Sequence, residues 1–160
     1  MSQTSGQISG TALGGARAGF FRRLMALLVD VVVLAVVGFL LGKAFGQDIY
    51  TSTDGTLSYS LTGAPALLAL LFGLAYYVYL EGNPGQTLGK KLLGIRVVDM
   101  EGSGAIGFGR AAIRYVGRLV SGFPLALGYF WMLWDKDKQT WHDKFANAIV
   151  VPTSANPPTA

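Results

Sequence analysis

The longest apolar stretch of the chain constrains its fold more than any other feature. It runs from Leu24 to Gly42 and contains a single charged residue, Asp30. A helix that crosses a membrane needs about 20 mostly apolar residues, and this stretch has that length. A cleaved signal peptide has a shorter apolar core, of about 7–15 residues, and no acid in its middle. The stretch therefore predicts a transmembrane helix.

The composition agrees with a membrane protein. Hydrophobic residues make up 51% of the chain and charged residues 14%, against roughly 25% charged in soluble proteins. The absence of cysteine excludes a disulfide scaffold, a thiolate metal site and a cysteine nucleophile. With one histidine, His142, a histidine-rich metal site is also excluded. We expect no metal, no cofactor and no enzymatic activity, and the scattered basic residues argue against nucleic-acid binding.

The apolar segments predict one membrane domain between two tails. The tails are a flexible Ser- and Gly-rich segment, 1–19, and a Pro-rich segment, 153–160. The domain covers residues 20–152, with membrane segments at about 24–42, 64–80, 107–120 and 123–134. Three tyrosines near the end of the second segment suit the headgroup level of a membrane. The predicted fold is an all-α membrane protein, a small bundle of three to four membrane segments with short cytoplasmic helix–strand elements.

An internal repeat bears on the topology. Gln86-Thr87-x-x-x-Lys91 followed by Val97-Val98 matches Gln139-Thr140-x-x-x-Lys144 followed by Val150-Val151, at an offset of 53 residues. Each copy predicts a polar turn, a short helix and a strand. If the copies pair, they lie on one side of the membrane, which favours a hairpin for the last two segments. The alternative is one kinked span that places the C-terminus outside.

Basic residues favour the hairpin. The loop at 43–63 contains only Lys43, whereas the N-terminal flank, the 81–110 loop and the C-terminal segment each contain several lysines or arginines. Lysine and arginine are enriched in cytoplasmic loops. We therefore expect both termini in the cytoplasm.

Asp30 is the first candidate functional residue. A carboxylate near the middle of a spanning helix costs ~2.5–3.5 kcal/mol on insertion scales, and such residues usually face a bundle interior or a wet cavity. Asp30 could serve as a proton or cation site, or form a buried ion pair that fixes the helix register. Arg23 lies on nearly the same helix face but about 10 Å along the axis. A water or an arginine from another helix is therefore a better partner.

Arginines recur every four residues in the third segment. Arg110, Arg114 and Arg118 form one stripe on a helix. The stripe could line a path for an anionic solute or supply the partner of Asp30. Alternatively, it belongs to an interfacial helix whose guanidinium groups reach the phosphates of anionic lipids.

Glycines give two further motifs. Gly38 and Gly42 form a close-packing pattern that predicts either contact within the chain or a homo-oligomer. Gly102-Ser-Gly104-Ala-Ile-Gly107 matches a dinucleotide-binding pattern literally. No βαβ unit surrounds it and no acidic ribose ligand follows about 20 residues later, so we reject a nucleotide site.

His142 and Asp143 admit a functional and a structural interpretation. An imidazole beside a carboxylate could relay protons. Alternatively, Thr140 and Asp143 have the spacing of a capping box at the start of a helix.

Together these motifs resemble the RDD family of small prokaryotic membrane proteins. The resemblance rests on the segments from Arg23 to Asp30 and from Gly85 to Asp99, on Arg114, and on His142-Asp143 before Val150-Val151. It covers about residues 17–152. The arginine and the two aspartates that name the family match Arg23, Asp30 and Asp143. The chain departs from the family pattern at Asn147-Ala148-Ile149.

The resemblance implies a bacterial or archaeal cytoplasmic membrane and a multi-pass protein whose molecular function is largely unknown. For some members, transport of an unidentified solute or cation–proton exchange is suggested. The competing hypothesis is a membrane scaffold or assembly subunit that binds a protein partner through the polar segments around Gln86 and Gln139. The candidate binding or ion-coupling residues are Arg23, Asp30, Arg114, Arg118 and Asp143.

Overall fold

The protein is mostly helical. The computed structural model describes residues 17–47, 50–51, 57–58, 60–101, 104–122 and 126–154. The helices are α1 (Phe20–Ala44), α2 (Gly63–Gly82), α3 (Leu88–Leu92), α4 (Gly107–Gly122), α5 (Leu127–Phe130) and α6 (Trp141–Phe145). The strands are β1 (Tyr50–Thr51), β2 (Leu57–Ser58), β3 (Ile95–Asp99) and β4 (Ala148–Pro152). A 3₁₀ turn, Trp131–Leu133, follows α5.

Two helices in the described part of the chain, α1 and α2, are long and apolar enough to cross a membrane. A third span arises only if α4, α5 and the 3₁₀ turn count as one, and the chain bends by 112° between them. Of the predicted fourth segment at 123–134, residues 123–125 lie outside the described residues, and the rest contains α5 and the 3₁₀ turn, which are too short to span by themselves. The prediction of a mostly helical protein with membrane-spanning helices is confirmed, with two to three candidate spans.

The distribution of polar groups is the reverse of that in a soluble protein. Large apolar side chains lie on the outside of the long helices, including Val32 (61% exposed) and Leu67 (57% exposed). Charged side chains lie inside: Asp30, Glu81 and Asp143 are at most 1% exposed. An apolar exterior of this extent is stable against lipid, where only the backbone and the charges need partners within the protein.

The two repeat copies pair with each other, which is the condition on which the hairpin prediction depends. β3 and β4 form an antiparallel pair in which Val97 lies opposite Val150, its own repeat equivalent. The side chain of Gln86 donates to Ile95 O (2.9 Å), and that of Gln139 donates to Ala148 O (2.8 Å). The same side-chain-to-strand bond is therefore formed twice, and a local pseudo-two-fold axis passes through the Val97–Val150 pair.

The turns of the repeat also correspond. Thr87 and Thr140 are the N-caps of α3 and α6, and α6 has the predicted capping box with Asp143. After each helix the chain enters the left-handed region, at Gly94 (φ +62°) and at Asn147 (φ +50°). Asparagine tolerates this conformation better than most residues. The departure from the family pattern at Asn147 therefore leaves the strand pairing intact.

The ordered domain begins before residue 20. Ala18, assigned to the tail by its composition, is buried and its N–H donates to Val150 O (2.9 Å). Arg23 Nε donates in turn to Ala18 O (3.2 Å). Residues 1–16 and 155–160 of the predicted tails lie outside the described residues.

The short helices pack on the long ones through glycine. A Cβ added to Gly89 of α3 would lie 2.1 Å from Ala26 O of α1, and one added to Gly117 of α4 would lie 3.0 Å from His142 Cα of α6. Close backbone approach at Gly89 therefore holds α3 against α1 beside Asp30.

We expect Gly89→Ala to destabilise the protein by at least about 1–3 kcal/mol, the usual cost of overpacking. Gly109→Ala is the matched control, because Gly109 also lies in a helix and an added Cβ there meets nothing within 4 Å. Thermal unfolding in detergent measures both. Equal melting temperatures for the two variants would show that α3 does not pack on α1 in this way.

Candidate functional site

A buried ion network lies at the end of the bundle that carries the β3–β4 pair. Its centre is Arg114 of α4, which joins two carboxylates that have no exposed surface. Arg114 Nη1 donates to Glu81 Oε2 (3.1 Å), and Arg114 Nε donates to Asp143 Oδ1 (2.8 Å). One guanidinium therefore connects α2, α4 and α6.

Further cations complete the network. Arg23 Nη1 of α1 donates to Asp143 Oδ2 (2.6 Å). Lys90 of α3 and Arg118 of α4 both form ion pairs with Glu81. Each carboxylate is thus shared by two or three cations, which offsets the high cost of removing such groups from water.

Outside the long helices, the environment shifts the pKa values of three groups. Burial alone would raise the pKa of Asp143, but Arg114 and Arg23 outweigh it and hold that pKa well below its ordinary value. Burial keeps the pKa of His142 well below 6.5, so its imidazole is neutral at pH 7. Burial also lowers the pKa of Lys90 to about 8, against the opposing effect of Glu81.

Asp30 has a separate and uncharged set of partners. Its Oδ1 accepts from Tyr76 Oη (2.7 Å) and from the Gly89 N–H (2.8 Å), and its Oδ2 accepts from Thr87 Oγ1 (2.6 Å). Tyr76 Oη accepts in turn from the Leu88 N–H (3.0 Å). Asp30 therefore satisfies one free N-terminal donor of α3 directly, the Gly89 N–H, and orients the tyrosine that satisfies a second, the Leu88 N–H.

A cavity of about 440 Å³ lies between these two clusters. Four basic side chains and one carboxylate line it: Arg23, Lys90, Arg114, Arg118 and Asp30. Most of the remaining lining is aliphatic or aromatic. Arg118 Nη1 is buried and has no hydrogen-bond partner among the described residues. A cavity of this size lies in the ~300–1,000 Å³ range of small-molecule sites.

Residues 17–147 match the RDD family. The chain belongs to the RDD family. No solved structure matches it. As a member of this family with apolar helices of spanning length, it is a membrane protein.

Relatives of this RDD protein are found in two bacterial genera. "Proline-rich antigen homolog" of Mycobacterium tuberculosis is 33% identical over 84 residues, which are 50% of this chain and 35% of that protein. "Uncharacterized protein YxaI" of Bacillus subtilis is 26% identical over 147 residues, 84% of this chain and 96% of that protein. "Uncharacterized membrane protein YteJ" of the same species is 28% identical over 138 residues, 85% of this chain and 81% of that protein.

The structure brings the five residues proposed from the RDD sequence to one place but pairs them differently. Arg23 contacts Asp143, so the family's arginine and second aspartate are direct partners. Neither Arg23 nor Arg118 is the hydrogen-bonding partner of Asp30 in the described chain; Arg118 pairs with Glu81. Four of the five line the cavity, and Asp143 lies behind Arg114.

The three arginines of the stripe lie in different environments. Arg114 is 2% exposed and the Arg118 side chain 10% exposed, and both point into the ion network, whereas Arg110 is exposed. The guanidinium groups of Arg114 and Arg118 therefore have carboxylates of the protein as partners, and contact of the stripe with anionic lipid stays a prediction. Their helix exposes apolar residues such as Val116 and Leu119.

The glycine motifs do not contribute to the site. Gly38 and Gly42 are buried within this chain, which agrees with packing inside the protein. A homo-oligomer through them stays a prediction. Residues 102–103 of the rejected glycine loop lie outside the described residues. Among the described residues, no group of three or more His, Cys, Asp or Glu side chains could hold a metal ion.

Sequence reasoning missed Glu81, Lys90, Tyr76 and Thr87. Glu81 directly follows the apolar residues of α2, where the composition predicts the start of a polar loop, yet it forms ion pairs with three cations. The repeat offered a signal, since an offset of 53 places Lys90 at the position of Asp143. Tyr76 and Tyr77 are buried rather than at a headgroup belt, while Tyr79 is 64% exposed.

We expect Arg114→Met to destabilise the protein by about 3–5 kcal/mol, because it leaves buried carboxylates with unmatched charge. Arg110→Met, one turn earlier on the same helix and exposed, should change stability by no more than ~0.5 kcal/mol. The stability of Arg114→Lys should lie between those of the two methionine variants, because one ammonium cannot replace the planar guanidinium that contacts two carboxylates. Unfolding in detergent tests the order, and a full rescue by lysine would contradict the bridging role.

Proposed function

We propose that this protein binds a small anion in the cavity beside the ion network and carries it across the cell membrane, without enzymatic chemistry. The observation that supports the proposal is the unpaired, buried Nη1 of Arg118 in a cavity lined by four basic side chains. A buried donor without a partner costs about 1–3 kcal/mol, more when it is charged. A bound anion would remove that cost.

The charge balance of the site favours an anion. The network and the cavity wall contain four cations and three carboxylates. The cations are Arg23, Lys90, Arg114 and Arg118, and the carboxylates are Asp30, Glu81 and Asp143. Four minus three leaves one positive charge without a counter-charge in this set. Inside a membrane domain an uncompensated charge is expensive, so the site is matched to one negative charge.

The alternative of cation–proton exchange through Asp30 has less support. A coupling carboxylate needs lone pairs that are free to bind a cation or a proton. The lone pairs of Asp30 instead face Tyr76, Thr87 and the Gly89 N–H at 2.6–2.8 Å. The four basic side chains around the cavity also repel a cation.

The scaffold hypothesis loses its main argument. It assigned partner binding to the segments around Gln86 and Gln139, but both side chains donate to the backbone of their own strands. For the topology, we keep the β3–β4 end in the cytoplasm with both termini. The distribution of lysine and arginine supports this orientation, because the 43–63 loop contains only Lys43.

Flux from proteoliposomes tests the transport proposal. Methanesulfonate and octanesulfonate are suitable probes because they stay ionised and do not cross as neutral acids. We expect efflux of at least one of them to depend on the protein, to fall at least roughly tenfold in Arg118→Gln, and to fall less in Asp30→Asn. Arg110→Gln is the control. Sodium–proton exchange that is lost in Asp30→Asn, without anion movement, would overturn the proposal in favour of the alternative.

The pH dependence of this flux should follow Lys90. Its pKa is about 8, so the ammonium is charged below pH 8 and is lost as the pH rises through that value. Losing one positive charge beside the anion should reduce flux roughly tenfold between pH 7 and 9.5, since a partly buried charge pair is worth ~1–4 kcal/mol. Lys90→Arg should keep its charge and abolish the decline. The same decline in Lys90→Arg would exclude Lys90 as its origin.

A further inference from the structure

The cavity has both a charged and an apolar lining. Lys90, Arg114 and Arg118 line it from α3 and α4, and Arg23 and Asp30 of α1 are its other charged residues. The apolar side is formed mainly by α1, α5 and the 3₁₀ turn: Leu24, Leu27, Val31, Phe130 and Met132. A fully hydrated anion would gain nothing from that apolar side. A ligand with a charged head and an apolar chain would be complementary to both.

The mouth of the cavity lies on the apolar exterior. Val31 and Phe130 line the cavity, yet they are 50% and 41% exposed, so they stand at its edge. Beside them on the outer surface are Leu28 (48% exposed) and Leu127 (52% exposed). Because α1 is a membrane-spanning helix, this surface faces lipid, and a ligand already dissolved in the bilayer can enter there without crossing water.

The head-group site is small and singly charged. The Arg118 side chain is 10% exposed and its guanidinium is held in place, with one nitrogen paired to Glu81 and Cζ 4.2 Å from the centroid of the Tyr77 ring. Its other terminal nitrogen, Nη1, is the unpaired donor. One unpaired donor and one surplus positive charge fit a monoanionic head. A volume of about 440 Å³ is near the lower end of small-molecule sites, which favours one chain over two.

We propose that the anion is a single-chain amphiphile with a monoanionic head group, such as a fatty acid, which enters from the bilayer between α1 and α5. Its head accepts a hydrogen bond from Arg118 Nη1, and its chain lies along Leu27 and Val31. The inference rests on the proposed anion-binding function and specifies the class of anion.

Binding of tritiated palmitate to the purified protein in phosphatidylcholine nanodiscs tests the inference. Four competitors separate charge from chain: unlabelled palmitate has both, hexadecanol has the chain without charge, methanesulfonate has the charge without the chain, and dipalmitoyl phosphatidylglycerol has two chains. We expect saturable binding that palmitate displaces at a concentration at least tenfold lower than any of the other three.

Variants locate the binding. Arg118→Met should weaken palmitate binding at least tenfold, and Arg118→Lys should retain part of it. Leu27→Trp fills the apolar side of the cavity and should also weaken binding at least tenfold. Leu40→Trp, on the same helix, 60% exposed and away from the cavity lining, should leave binding unchanged. The Leu27 and Leu40 pair keeps the test valid if Arg118→Met fails to fold.

Four results would overturn the inference, and each contradicts a different part of it. Equal competition by methanesulfonate and palmitate would show that the ligand need not be an amphiphile, while the proposed anion binding would stand. Equal competition by hexadecanol would show that the monoanionic head is not required. Displacement by the two-chain lipid at the same concentration as palmitate would show that the site does not select a single chain. If neither palmitate nor methanesulfonate binds and neither sulfonate crosses in the flux assay, the anion-binding function itself fails.

Discussion

The two carboxylates bridged by Arg114 hold the bundle together. Glu81 lies in the last turn of α2 and Asp143 in the first turn of α6, and the same guanidinium contacts both from α4. Asp143 also binds Arg23, so α1 joins the same network. In a protein whose outer surfaces are apolar, helices gain little hydrophobic energy by meeting one another. Matched charges without access to water therefore contribute a large share of the specificity with which these four helices meet.

The repeat explains how two copies of one helix–strand motif come to lie beside two different clusters of charge. In each copy a threonine caps a short helix that leads into a strand, and the strands meet about a pseudo-two-fold axis. The equivalent positions Lys90 and Asp143 carry opposite charges, so the first copy pairs with an acid, Glu81, and the second with a base, Arg114. Because α3 has no acid of its own at this position, Asp30 of α1 accepts the hydrogen bond from the Gly89 N–H. The cavity lies between Asp30 and this ion network.

Much of the local structure was predictable from the sequence, and the partners were not. Apolar length predicted α1 and α2, the offset of 53 residues predicted two similar helix–strand elements, and spacing indicated the capping box of Thr140. The partner of Arg23 depends on how helices cross, and neither helical periodicity nor motif spacing contains that angle. Glu81 was missed because it is the first charged residue after an apolar run, where a polar loop and a buried helix end look alike.

The positions of the family's named residues suggest a division of labour within the site. Arg23 and Asp143 bind each other, and Asp30 holds the start of α3, so all three act by positioning other groups. In the proposed anion site, the groups that would contact the anion are Arg118, through its unpaired nitrogen, and Lys90, which also pairs with Glu81. Because Glu81 keeps Lys90 and Arg114 as partners, an anion bound to Arg118 would not leave that carboxylate uncompensated. The five-residue helix α3 connects the two sets, since Gly89 contacts Asp30 while Lys90 contacts Glu81, and a shift of α3 would alter both at once.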